Sequence, residues 1–132
     1  MTQDKACDWL LACKAREYDD SLRSPGVRCF QMPRMTDVPL CGCNEKPPAL
    51  HVIVFPDLGS PARPEWQGGV EFEVVGQAGD NRWLKAIIYS CRRDELADVL
   101  VDAEYVAKRV WTTYFDLMNV RRPPQDRSHD QV

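Results

Sequence analysis

Six cysteines and two histidines are the side chains best suited to nucleophilic, redox or metal chemistry in this chain of 132 residues: Cys7, Cys13, Cys29, Cys41, Cys43, Cys91, His51 and His129. Cys41-Gly42-Cys43 is the one close pair of thiols. Structural zinc sites usually take two pairs of ligands, each pair separated by two to four residues. No second pair follows here, so a metal site would have to draw on Cys29, Cys41, Cys43 and Cys91 together. A redox couple at positions 41 and 43 lacks the Cys-x-x-Cys opening of a helix that lowers a thiol's pKa. Free cysteine packs as a small hydrophobe, and that is the preferred reading, with no cofactor expected. A metal- or thiol-dependent protein built on Cys41 and Cys43 is the alternative.

His129 lies in a polar tail and His51 in an aliphatic run, where a histidine more often serves the core than a reaction. A pair of His51 with Cys41 or Cys43 matches no established spacing. Glu71 and Glu73 fall on one face of a strand, as two carboxylates of an acid–base site do, yet simple alternation already accounts for them as solvent-facing residues. No nucleophile elbow, phosphate-binding glycine loop, His-Glu-x-x-His run or dinucleotide fingerprint occurs. The residues give an enzyme no support.

Composition narrows the class further. Hydrophobic residues make up 44% and charged residues 28%, which is globular usage and about one domain's length. The formal charge of −3 removes the basic footprint of a general nucleic-acid binder. No apolar run approaches the ~18 residues of a membrane span. Asp4, Lys5 and Asp8 interrupt the stretch where a signal peptide would be apolar. A cytoplasmic, non-membrane protein with reduced thiols is expected.

The elements that must position these groups are read from periodicity. Residues 2–20 pattern as a helix: Thr2 is a cap, Ala6, Trp9, Leu10 and Cys13 recur at three and four, and Leu11, Ala15 and Tyr18 form an adjoining line. Residues 21–64 hold eight of the ten prolines and read as irregular, with no interior strand before Ala49 and a short edge strand at 27–32. The run LHVIVF from Leu50 is β-branched and aromatic, a buried strand. Val70, Phe72 and Val74 alternate with Glu71 and Glu73, and WLKAIIYS follows a turn containing Gly79, Asp80 and Asn81; together these form an antiparallel hairpin. A helix spans about 94–119, and the tail 121–132 reads as disordered. The expected architecture is a single α+β domain over 1–120. A three-stranded antiparallel sheet, four-stranded if 27–32 joins, packs against the long C-terminal helix, with an N-terminal helix beside it.

About 26 helical residues make a rod of roughly 39 Å, as long as a domain of this size is wide, roughly 36 Å. Its main apolar stripe centres on Leu96, Ala103, Ala107 and Tyr114, with Trp111 at the edge, while Val101, Tyr105 and Phe115 fall outside it. One sheet cannot cover both sets. Either the first sixty-odd residues wrap the second set, or Val101, Tyr105, Phe115 and Trp111 are contact residues for another protein or a second copy of this chain. The functional expectation is a non-enzymatic protein–protein interaction or accessory protein.

The order helix, three strands, helix, carried by residues 2–20, 49–90 and 94–119, resembles the double-stranded RNA-binding domain in topology. That family opens its last helix with lysines, whereas Arg92-Arg93 is followed here by Asp94, Glu95 and Asp98. The chain between first helix and first clear strand is also far longer than in that family. Six acids against two bases along 94–119 disfavour phosphate contacts, leaving a local patch of Arg82, Arg92, Arg93, Arg121 and Arg122 as the second alternative. The stretch WQGGVEFEVVGQAGDNRWLKAIIYS with the helix after it is similar to small bacterial proteins of phage or prophage type. That likeness covers about half the chain and implies an origin but no activity.

Overall fold

The computed structural model describes residues 1–40, 46–56, 69–78 and 82–120, with side chains to residue 118. It is an α+β fold in which five strands follow one another as an antiparallel meander. The elements are α1 (Gln3–Ala12), β1 (Arg16–Tyr18), β2 (Arg28–Gln31), β3 (Ala49–Val54), β4 (Gly69–Gln77), β5 (Trp83–Arg92) and α2 (Leu96–Val120), the last entered through a 3₁₀ turn at Arg93–Glu95. No helix among the described residues is long and apolar enough to cross a membrane. The expected tail at 121–132, the turn residues 79–81, and Cys41 and Cys43 lie outside the described residues.

The sheet has five strands, not three or four, and the N-terminal helix accounts for the difference. Thr2 caps α1 by accepting from the Lys5 amide at 3.2 Å, as its position suggests. The helix then stops at Ala12 and not near 20. Lys14 adopts φ +69°, and the Lys14 and Ala15 amides donate to the Leu11 and Leu10 carbonyls, both at 3.0 Å. This is the Schellman pattern of a helix C-terminus, with buried Leu10 and Ala15 as its apolar contact. A glycine usually marks that site, and a lysine gives no such signal, so the apolar line through Leu11, Ala15 and Tyr18 imitates a continuing helix. The residues freed become β1.

The second correction concerns β2. It is an interior strand, paired with β1 on one side and β3 on the other. Prolines flank this segment, but residues 28–31 contain none, so every backbone amide there is available to the ladder.

Alternation divides the sheet into two faces. Toward the helices point Phe30, Leu50, Val52, Val54, Val70, Phe72 and Val74, which form one core with Ala6, Cys7 and Leu10 of α1 and with Leu96, Leu100, Ala103, Ala107 and Trp111 of α2. The α2 residues recur at intervals of three and four, the stripe a helix presents to a sheet. Trp111 is fully buried, and its indole N–H donates to the Pro39 carbonyl at 2.8 Å. Gly76 makes room for it: a Cβ at that position would lie 2.6 Å from Trp111 Cζ3 and 2.7 Å from Pro48 Cβ. At the start of the helix, Glu95 accepts from the Arg92 amide at 3.1 Å, the reach-back half of a capping box.

Candidate functional site

The face of the sheet away from α1 and α2 carries a polar cluster. Register places Tyr18, Cys29, Ile53 and Glu71 in one cross-strand row, and Gln31, His51, Glu73 and Ile87 in the next. The Tyr18 hydroxyl and His51 Nδ1 share a hydrogen bond of 2.7 Å, with the rings edge to face at 5.0 Å. The loop between β1 and β2 lays Arg23 over the acids. Its Nη2 meets Glu73 Oε2 at 2.8 Å, its Nη1 lies 3.9 Å from Glu71 Oε1, and its Nε donates to Asp20 Oδ2 at 3.4 Å. Glu73 is only 4% exposed, so the expectation of a solvated carboxylate pair fails at this residue. Alternation gives its direction correctly, but the arginine from the preceding loop removes the water. Glu71 stays half-buried.

Electrostatics follow from that burial. His51 is pushed down to about 4 by burial, partly opposed by the neighbouring Glu73 charge, so the imidazole is neutral near pH 7. Burial also raises the Tyr18 hydroxyl well above its ordinary value, which keeps it protonated. Burial raises Cys29 likewise. Neutral His51 beside a carboxylate gives a proton acceptor of low basicity, and Cys29 is not a thiolate. The cluster therefore has the hydrogen-bonding and charge properties of a binding or structural site; it has no activated nucleophile.

Among the described residues the thiols do not assemble into a metal centre. Cys29 faces away from the helices, whereas Cys91, opposite Val70, packs against the helix-side core. The sheet therefore separates two of the four candidate ligands. Among the described residues no group of three or more His, Cys, Asp or Glu is arranged to hold a metal. Cys7 is buried, Cys13 and Cys91 half-buried, and all four described cysteines are free. An open cavity of about 620 Å³, lined by Phe55, Val70, Glu71, Cys91, Arg92 and Glu95 among others, lies at one end of β3–β5. Burial pushes the Cys91 thiol there up to about 11, so it too is protonated at neutral pH.

The described members of the arginine patch, Arg82, Arg92 and Arg93, do not form one surface. Arg82 and Arg92 flank opposite ends of β5, ten residues or roughly 33 Å apart. Arg93 is buried, and its Nη1 donates to the Met1 carbonyl at 3.0 Å. Arg121 and Arg122 lie outside the described residues.

The four α2 residues singled out as contacts separate into three environments. Val101 and Tyr105 are 67% and 62% exposed on the side of the helix away from the sheet. Phe115 is half-buried and packs against the core margin. Trp111 belongs to the interior and leaves the contact set, because the segment after β2 folds along that flank: Met32 and Met35 are buried, Asp37 Oδ2 pairs with Lys108 Nζ at 2.9 Å, and Pro39 receives the indole. This wrap covers one side of α2 and stops short of Val101 and Tyr105. The Tyr105 ring lies under the Arg109 guanidinium at 5.8 Å, and its hydroxyl accepts from Arg109 Nη1 at 3.3 Å. Two further large apolar residues, Trp83 and Ile87 on β5, are exposed on the opposite side of the molecule; they stood in the sequence as ordinary strand residues. Comparison of the chain with protein-family models, with curated proteins and with solved structures yields no match.

Proposed function

We propose that the protein is a non-enzymatic interaction protein that associates through the outward stripe of α2, with a second copy of itself as the partner. Exposed Val101 and Tyr105, one helical turn apart, carry this reading. Large apolar side chains left in water at i and i+4 are a typical helix-docking signature, and tyrosine is favoured at interface hot spots.

Charge selects the second copy as the occupant. On the same stripe Asp98 and Asp102 precede Tyr105, whereas Lys108 and Arg109 follow it. If two such helices cross antiparallel about a two-fold axis just after Tyr105, Asp102 of each faces Arg109 of the other, since both lie on the same flank of the stripe. The stripe is thus self-complementary, as a two-fold interface requires.

Mass in solution, followed over a range of protein concentration, tests the reading. The expected result is a rise from the 15.1 kDa monomer toward twice that value. Asp102→Lys should hold the chain monomeric, and adding Arg109→Asp should restore the dimer. A wild-type mass of one chain at every concentration, or a dimer indifferent to the swap, overturns it.

A further inference from the structure

The Arg23 cluster is unbalanced in charge and in hydrogen bonding. Three carboxylates, Asp20, Glu71 and Glu73, converge on one guanidinium. The arginine is spread across all three, at 3.4, 3.9 and 2.8 Å, and chelates none of them through both oxygens. Glu73 Oε1, fully buried, receives no hydrogen bond from the described residues. A buried charged oxygen without a donor is costly, and a carboxylate met through both oxygens by one planar guanidinium is the stronger arrangement. The resident arginine is also the more accessible member of its pair, with its side chain 21% exposed against 5% for Glu73. It belongs to the loop between two short strands, not to the sheet.

We propose that Asp20, Glu71 and Glu73 form a recognition site for an external guanidinium group, which Arg23 occupies as an internal, displaceable stand-in. The site's surroundings suit such a ligand. His51, the cross-strand neighbour of Glu73, is uncharged near neutral pH and does not repel a cation. The other neighbour is Ile87, 56% exposed, an apolar surface against which the aliphatic stem of an arginine-like ligand can lie. Displacement leaves the net charge of the site unchanged, since one guanidinium replaces another, and frees Arg23 to water. The gain is the donor that Glu73 Oε1 lacks. This site lies on the opposite side of the sheet from α2 and does not depend on self-association.

Calorimetric titration of the full chain with N-acetyl-arginine amide, with methylguanidinium in parallel, is the test. Arg23→Gln should bind both probes at least tenfold more tightly than wild type, and Arg23→Gln/Glu73→Gln should lose that binding. Should Arg23→Gln fail to fold, Asp20→Asn replaces it: this variant keeps the arginine but releases one of its anchors, and should tighten binding several-fold. A short Gly-Arg-Gly peptide binding better than free methylguanidinium would identify a polypeptide as the source of the group. Equal binding would identify a small cation. Absence of saturable binding by the variants, or binding indifferent to Glu73→Gln, overturns the proposal and leaves a structural ion pair.

Discussion

Phe72 and Glu73 are neighbours in β4 whose side chains enter different worlds. Phe72 lies between Val52 and Tyr89 on the helix side of the sheet, fully buried among aliphatic groups. Glu73 lies between His51 and Ile87 on the other side, nearly as buried, and owes its one described ion pair to a loop arginine. Both have lost their water. The helix-side face is held by contacts spread over α1, α2 and four strands, which no single rotamer change can release. The opposite face depends, at Glu73, on one guanidinium carried by a loop, the more exposed member of its pair. Burial of equal depth therefore implies unequal permanence, and permanence separates a core from a binding site.

That contrast is sharpest if both residues are replaced. Phe72→Ala should cost about 3–5 kcal/mol, the usual range for an aromatic removed from a packed interior. Glu73→Gln should cost only about 1–2 kcal/mol, because Arg23 is free to turn to solvent and the amide still accepts a hydrogen bond. Urea unfolding followed by far-UV circular dichroism reads both. Equal losses would show that the two faces are one continuous core. Next in size is Gly76→Ala, where the added methyl must displace the Trp111 ring or Pro48. Overpacking of this kind costs about 1–3 kcal/mol, and the near-ultraviolet dichroism of the indole should change with it.

What the sequence discloses follows the same division. The apolar periods of β3, β4, β5 and α2 are strong because their partners form a large, uniform surface, and any aliphatic residue in register announces it. The α+β class and the hairpin follow from those periods alone. The end of α1 rests on a backbone choice at Lys14 that no residue type signals, which hides β1. The site over Glu73 is harder still. Arg23 stands fifty residues away in a proline-rich stretch, and nothing in its neighbourhood points to the acids it covers. Polar pairings across such distances are set by tertiary folding and leave no period to detect. Val101 and Tyr105 were visible for the opposite reason: a regular helix fixes which side chains must fall outside its buried stripe.

Acid should act on the polar face before the apolar one. His51 is held near 4 in the folded chain against an ordinary value of 6.5, so the unfolded chain binds its proton first as pH falls. The contribution of this residue is complete above about pH 6.5 and is lost progressively between 6.5 and 4. Discounting for its partial exposure, the loss should amount to roughly 1 kcal/mol. His51→Gln, which keeps a hydrogen-bonding side chain toward Tyr18, should flatten the stability profile across that window while leaving the value at pH 8 little changed. A wild-type profile already flat from 6.5 to 4, or an identical slope in the variant, would remove His51 as its source.

The smallest effect separates the two sides of α2 itself. Trp111 and Val101 lie on one helix; the first is enclosed by Pro48, Gly76 and Pro39, and the second stands in solvent. Val101→Lys should change monomer stability by less than about 0.5 kcal/mol, as substitutions on open surface do. Lysine is the better helix former of the two by a few tenths, and Asp98 and Glu104, one turn to either side, are suitable partners for it. Measured at a dilution where only monomer is present, the variant should therefore match wild type or exceed it slightly. At higher concentration it should fall behind, because the proposed self-association would add stability to the wild type by mass action and the lysine would place a charge where the second helix docks. A loss of several kcal/mol in the monomer would mean that Val101 is covered by the chain's own residues, and the outward stripe would then belong to the core.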